Sequence, residues 1–176
     1  MASGADRARG RRVGRRLALA AVFEADFGQR TAEAILERHL AETERDPEAA
    51  ALARELVAAV TSFRDSIDAE IERLAPRYPV VGLARMDRAL LRCGMAEVLH
   101  SGTPARVAIA EWVELSRIYS GDPMRRLVNG VLGRITAEPG DPQRSASPPN
   151  SEEGVSGHNV RTPQEDRRRA TRRRRG

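Results

Sequence analysis

The strongest pattern of apolar and polar positions lies in residues 122–137. Apolar side chains recur there every three or four residues, which predicts an amphipathic helix with one buried face. Asp122 is a favourable N-cap, and Pro123 suits the first helical position. Gly130 lies inside the helix, where glycine costs about 1 kcal/mol relative to alanine. We therefore predict that another helix packs closely against Gly130. The apolar positions are Met124, Leu127, Val128, Val131, Leu132 and Ile135.

The same helical period predicts further helices along the preceding part of the chain. No segment alternates apolar and polar residues with a period of two, so the expected fold class is all-α. The helical pattern is interrupted by Pro76, Pro79 and Gly82. We interpret this segment as the connection between two small helical halves. The predicted helices cover residues 11–27 with Gly28 as a C-terminal cap, a segment after Thr31, 47–75 with a break near Thr61 and Ser62, 83–100, and 104–119 with Thr103 as N-cap.

Composition divides the chain into three parts. Residues 1–10 are predicted to be a flexible basic arm, and residues 11–137 to be the folded helical domain. From residue 138 to residue 176, Pro, Ser, Gly, Glu and Arg dominate without an apolar period. Such a segment buries too little apolar surface to offset its ordering entropy, so we expect a disordered tail.

Positive charge is concentrated at both ends. Residues 1–16 carry six Arg and one Asp, residues 17–137 carry 15 Arg and 18 acidic residues, and residues 138–176 carry nine Arg and six acidic residues. Basic extensions on a neutral to acidic body are typical of nucleic-acid partners, because they neutralise phosphates and release counterions. For the C-terminal tail, a merely solubilising charge run is an equally good interpretation.

The sequence gives no indication of an enzyme, a metal site or a cofactor. Cys93 is the single cysteine, and the three histidines lack ligand spacing. Nucleotide-binding and nucleophile motifs are not found. Glu111 and Glu114 lie three residues apart on one predicted helix face, as a catalytic carboxylate pair could. We interpret them instead as solvent-facing partners of Arg106 or Arg117. No apolar run reaches 18 residues and no signal peptide is recognised, so we expect a cytoplasmic protein without a membrane contact.

Four stretches in order carry a family resemblance: residues 18–24, 86–92, 104–115 and 127–132. They resemble the landmarks of the NusB family of transcription antitermination factors over residues 11–137. The resemblance implies a helical protein that is not an enzyme. It also implies binding to the single-stranded boxA element of ribosomal RNA leaders, together with ribosomal protein NusE. Through that complex the RNA polymerase elongation complex is an indirect partner, and self-association in some members makes a homodimer another expectation.

The resemblance places the RNA-binding residues mainly at the N-terminus. The family's basic segment matches Arg11, Arg12 and Arg15, and Arg7, Arg9 and Arg16 extend it. These arginines are expected to lie on an exposed arm that contacts phosphates.

Three further positions are assigned to the RNA surface by the same resemblance. Phe23 falls where the family often has tyrosine and is expected to stack on a base, although a phenylalanine in a first helix is more often a core residue. Asp87 is expected to accept from a cytosine amino group or a ribose hydroxyl. The alternative is favourable placement of Asp87 in the first turn of a helix. Leu127 replaces a family aromatic, which removes one stacking contact.

Two rival functions remain open from the sequence. One is a relative of the RNA-binding domain of rRNA cytosine methyltransferases, although residues after 137 show no βαβ pattern. The other is a helical interaction module that binds only protein.

Overall fold

The computed structural model describes residues 3–42 and 46–137, so the predicted tail at 138–176 lies outside the described residues. The described part contains helices without strands, and the all-α prediction is confirmed. Its elements are α1 (Gly4–Ala25), α2 (Ala32–Glu42), α3 (Pro47–Ser62), α4 (Arg64–Leu74), a 3₁₀ helix (Val80–Gly82), α5 (Arg85–His100), α6 (Ala105–Ser120) and α7 (Asp122–Ala137).

Helix α1 begins earlier than the sequence predicts. Ser3 is its N-cap: its side chain accepts a hydrogen bond from the backbone of Asp6, and the Asp6 carboxylate accepts one from the backbone of Ser3. This reciprocal capping satisfies two amide groups, and Asp6 also places a negative charge in the first turn, where the helix dipole favours it. The prediction of a flexible arm over residues 1–10 is therefore wrong from Gly4 onward.

The predicted break in the third helical segment is confirmed. Phe63 ends α3 and precedes α4, and its φ of −115° and ψ of 18° depart from helical values. The prediction that Thr103 is the N-cap of α6 is wrong. Pro104 occupies the N-cap position of α6, and the hydroxyl of Thr103 instead donates to the carboxylate of Glu97.

Buried apolar side chains from all seven α-helices of the described ranges form one continuous core. Helices α1 and α3 of the N-terminal half pack against each other and against α5 of the C-terminal half. The two predicted halves therefore share a single core rather than folding around separate ones. Trp112 on α6 and Leu90 on α5 are both fully buried within it.

Close helix approaches occur at glycines other than the predicted one. A Cβ at Gly14 would lie 2.6 Å from the carbonyl oxygen of Ala49, and one at Gly94 would lie 3.1 Å from Leu132. A Cβ at Gly130 would meet nothing within 4 Å. The predicted close packing at Gly130 is therefore wrong, because this residue lies on the exposed side of α7.

Across residues 3–42 and 46–137, the helices are all too short or too polar to cross a membrane.

Candidate nucleic-acid interface

One face of α1 carries a row of arginines followed by an aromatic ring. Residues of an α-helix advance by about 100° each, so Arg9, Arg12, Arg16 and Phe23 all fall within about 60° of one another. The three arginines are exposed, and Phe23 is half-buried against the core. Arg7 lies on a different side of the helix by the same geometry. Four of the predicted site residues are thus brought together by a single helix.

Helix α6 lies beside this row and forms one wall of a shallow groove. Arg12 and Arg16 line it from α1, while Leu115 and Ile118 line it from α6. Ile118 is 51% exposed, so the groove offers an accessible apolar surface beside the two arginines, and Glu111 and Glu114 of α6 add two carboxylates to its lining. This combination suits a ligand with anionic and flat apolar parts, and a nucleotide has both.

Arg15 does not belong to this surface. Its side chain is 2% exposed, and its guanidinium donates to both oxygens of Glu97 at 2.9 and 2.7 Å. The expectation that Arg15 lies on an exposed arm is therefore wrong. The helical spacing of Arg15 agrees with its burial, because Arg15 continues the buried stripe formed by Ala18, Leu19 and Val22.

The carboxylate of Glu97 is fully buried and has four donors. Besides the two groups of Arg15, the Thr103 hydroxyl and the Trp112 Nε1 each donate to it at 2.7 Å. Arg11 is half-buried beside this cluster, and its guanidinium donates to the hydroxyl of Thr103. A buried carboxylate is tolerated when charge and hydrogen bonds satisfy it. The cluster thus fastens the first half of α1 to α5 and α6.

Glu111 and Glu114 have different partners. Glu114 pairs with Arg117 at 2.6 Å, as predicted, and this contact holds the pKa of Glu114 below its usual value. Glu111 instead accepts from Arg12 across the α1–α6 interface, at 3.0 and 3.3 Å. The predicted partner Arg106 is not the one used.

A second aromatic ring extends the α1 row beyond the end of the helix. Phe23 and Phe27 make an edge-to-face contact with centroids 5.4 Å apart. Phe27 is 52% exposed, and the guanidinium of Arg85 lies 4.5 Å from its centroid. Sequence reasoning missed Phe27, although its spacing of four residues from Phe23 places it on the same face. Phe27 is the more accessible stacking surface of the two.

Asp87 lies in the first turn of α5, where the helix dipole favours its charge. It is half-buried, and the hydroxyl of Ser120 at the end of α6 donates to its carboxylate. The alternative interpretation of Asp87 as a first-turn residue agrees with this placement. An ionised carboxylate has about four acceptor sites, so Asp87 can accept from further donors besides Ser120.

Leu127 lies in a groove between α7 and the chain that follows α4. Its neighbours in that groove include Tyr78, which is 49% exposed, and the arginines Arg77, Arg126 and Arg134. Arg134 donates to the carbonyl of Leu74 at 2.7 Å, which ties α7 to the end of α4. Sequence reasoning missed Arg77 and Tyr78, because they lie about 50 positions from Leu127 along the chain and approach it only in the folded protein, whereas Arg126 and Arg134 belong to the same helix as Leu127.

Cys93 is fully buried, and burial raises the pKa of its thiol well above the usual value. Across the described ranges, no three His, Cys, Asp or Glu side chains lie close enough together to hold a metal ion.

The fold and this surface define a class of protein. It is a small all-helical protein with arginines and aromatic rings along one face of a helix. The sequence profile of the NusB family matches residues 12–137. A transcription antitermination protein NusB from Dehalococcoides mccartyi is 35% identical over 127 residues, covering 72% of this chain and 89% of that protein. The one from Myxococcus xanthus is 37% identical over 130 residues, covering 71% and 93%. The chain belongs to the NusB family.

Solved structures agree with this assignment. NusB from T. maritima superposes with a TM-score of 0.68 at 30% identity, covering 77% of this chain and 96% of that one. A structure of antitermination factors NusB and NusE in complex with dsRNA superposes with a TM-score of 0.64 at 26% identity, covering 72% and 96%. Both relatives are named transcription antitermination proteins, which is not the name of an enzyme.

Proposed function

We propose that this chain is an RNA-binding transcription antitermination factor that acts on boxA-type RNA of ribosomal RNA operons together with ribosomal protein NusE. Membership of the NusB family supports the proposal, as does the likeness to a NusB that was solved with NusE and RNA. The observation that carries it is the row of exposed Arg9, Arg12 and Arg16 on α1, which leads to the ring of Phe27.

Each part of this surface suits one part of a single-stranded RNA. Guanidinium groups pair with phosphates, and the release of counterions makes that binding salt-dependent. Base stacking on an exposed aromatic ring contributes about 1–3 kcal/mol, and only unpaired bases are free to stack there. We therefore assign phosphate contacts to Arg9, Arg12 and Arg16 and stacking to Phe27. Arg7, on another side of α1, is proposed only as a long-range positive charge.

Sequence selectivity requires contacts to base edges, because phosphate contacts position the RNA without specifying it. We propose Asp87 for this role, since its carboxylate accepts from amino groups of bases. The groove around Leu127 offers Tyr78 as an aromatic ring on the same surface as Arg77 and Arg126. Tyr78 is proposed to supply the stacking contact that Leu127 cannot make.

NusE is the proposed protein partner. Two weak RNA surfaces joined in one complex raise the effective affinity without new contacts at either surface. RNA held in this way would follow the elongating RNA polymerase, which is the proposed indirect partner. A homodimer that covers the same face is a competing assembly, and it predicts weaker RNA binding at high protein concentration.

The test is a titration of labelled boxA RNA and of a scrambled RNA with the full chain, with and without NusE. The proposal predicts salt-dependent binding that NusE strengthens and that favours boxA. A helical module that binds only protein predicts a complex with NusE but no salt-dependent RNA binding, and that result would overturn the RNA assignment.

A further inference from the structure

Four charged side chains of alternating sign connect the core of the protein to the arginine row of α1. Buried Glu97 holds Arg15 through two hydrogen bonds. Arg15 Nη1 lies 3.8 Å from Glu111 Oε2, and Glu111 in turn accepts from Arg12. The exposed fraction of the side chains rises along this series, from 0% at Glu97 to 22% at Glu111 and 64% at Arg12. The series therefore ends in one exposed guanidinium whose partner is mostly buried.

The contact with Glu111 uses only one edge of the Arg12 guanidinium. Arg12 Nε donates to both carboxylate oxygens of Glu111, at 3.0 and 3.3 Å. The terminal nitrogens of Arg12 make no hydrogen bond to any described residue. A guanidinium has a second pair of donors that match two phosphate oxygens. Glu111 thus fixes the orientation of Arg12 and leaves a phosphate-binding edge in solvent.

Glu111 is itself held in place, which distinguishes it from an ordinary surface carboxylate. A typical exposed ion pair is dynamic and contributes little to stability. Here Arg15 approaches the same carboxylate from the buried side, and Glu97 locks Arg15. An arginine loses much rotamer freedom when it binds a ligand, and a side chain that is already ordered loses less.

We propose that Glu111 is a positioning residue of the RNA site, which orders Arg12 for contact with a phosphate. The inference rests on the proposed function. The proposal predicts a change in RNA affinity opposite to the one expected from net charge alone. Removal of a carboxylate near a phosphate reduces electrostatic repulsion and would by itself strengthen binding. Loss of Glu111 should weaken RNA binding even though the protein becomes more positive.

Glu114 offers a matched control. It lies one turn further along α6 and pairs with Arg117 of its own helix rather than with α1. Glu111→Gln and Glu114→Gln remove the same charge from the same helix and keep the side-chain shape. We expect RNA affinity of the Glu111→Gln variant to be about three- to ten-fold below that of the Glu114→Gln variant, which corresponds to loss of order in one long side chain.

A double-mutant cycle separates positioning from a general structural effect. If Glu111 acts through Arg12, then Glu111→Gln should lose its effect on RNA affinity in an Arg12→Ala background. Affinities of the full chain for boxA RNA would be measured by fluorescence anisotropy, with thermal melting to compare the folded fractions. Equal or tighter binding of the Glu111→Gln variant relative to Glu114→Gln, or a loss that persists without Arg12, would overturn the inference while leaving the proposed function intact. If the unchanged protein bound no RNA with or without NusE, the proposed function would itself be wrong, and the inference with it.

Discussion

Arg15 and Glu97 form a doubly hydrogen-bonded ion pair inside the protein, with nitrogen–oxygen distances of 2.9 and 2.7 Å and exposed fractions of 2% and 0%. The pair joins α1 to α5. The next residue along α1, Arg16, is exposed. Two neighbouring arginines in one basic segment therefore have different tasks: Arg15 fastens the helix, and Arg16 belongs to the proposed RNA surface.

Replacement of Arg15 by alanine should destabilise the fold strongly. It leaves the carboxylate of Glu97 buried without its main cation, and breaking a buried pair in this way typically costs about 3–5 kcal/mol. Arg16→Ala should change the free energy of unfolding by less than about 0.5 kcal/mol, as is usual at exposed positions. Urea unfolding of both variants measures the difference. Equal stabilities would show that the pair does not fasten α1.

The glycines of α1 and α7 should respond in opposite directions to alanine. Gly130→Ala should stabilise the protein by up to about 1 kcal/mol, because helix propensity improves and the Cβ meets nothing within 4 Å. Gly14→Ala places a Cβ 2.6 Å from a backbone oxygen, so the strain should exceed the gain in propensity. Chemical denaturation of both variants tests this. Destabilisation by Gly130→Ala would contradict the open space that the structure shows around Gly130.

His100 should make stability depend on pH in the mildly acidic range. Its side chain is exposed, but its ring stacks on Phe63 with centroids 3.9 Å apart, and this partial desolvation lowers its pKa below the usual 6.5. The unfolded chain therefore binds the proton more readily than the folded one. Stability is fully retained above the unfolded pKa and falls as the pH drops through about 6.5. His100→Gln should remove this part of the pH dependence, measured as the difference in unfolding free energy between pH 7.5 and pH 5. An identical pH profile in the variant would contradict the assignment.

Phe27 should contribute to RNA affinity through stacking. Phe27→Ala should weaken binding by about 1–3 kcal/mol, the range typical of base–aromatic stacking. Phe63→Ala is the control, because Phe63 is also part-exposed, at 41%, but stacks on His100 instead. Titration of the same RNA with both variants decides the matter. A comparable loss in both would indicate that neither ring acts specifically.

The sequence predicted the helical segments because each carries its own apolar period, but it misplaced the start of α1 and the N-cap of α6. The break at Phe63 and the end of α1 before Gly28 both follow from such local features. Burial of Arg15 depends on which side chain of α5 meets it, and Glu97 lies 82 residues away along the chain. Gly130 shows a different limit of prediction from sequence. A glycine inside a helix shows that some helix stability is lost, but the sequence does not show why the glycine is there. The groove at Leu127 was likewise beyond local patterns, because its arginines come from separate elements.

The exposed arginine row on α1 is proposed to bind RNA phosphates, and the salt dependence of RNA affinity is the sharpest test of that role. The logarithm of the affinity for boxA RNA, with NusE present, would be measured against the logarithm of salt concentration for three proteins. These are the unchanged chain, the Arg12→Ala/Arg16→Ala variant, and an Arg38→Ala/Arg54→Ala control, which removes two exposed arginines paired with Glu24 and Glu37. Loss of two phosphate contacts should reduce the slope by about 1.4 in the first variant, at about 0.7 per contact, and leave it unchanged in the control. Unchanged slopes in both variants, or equal reductions in both, would contradict the account.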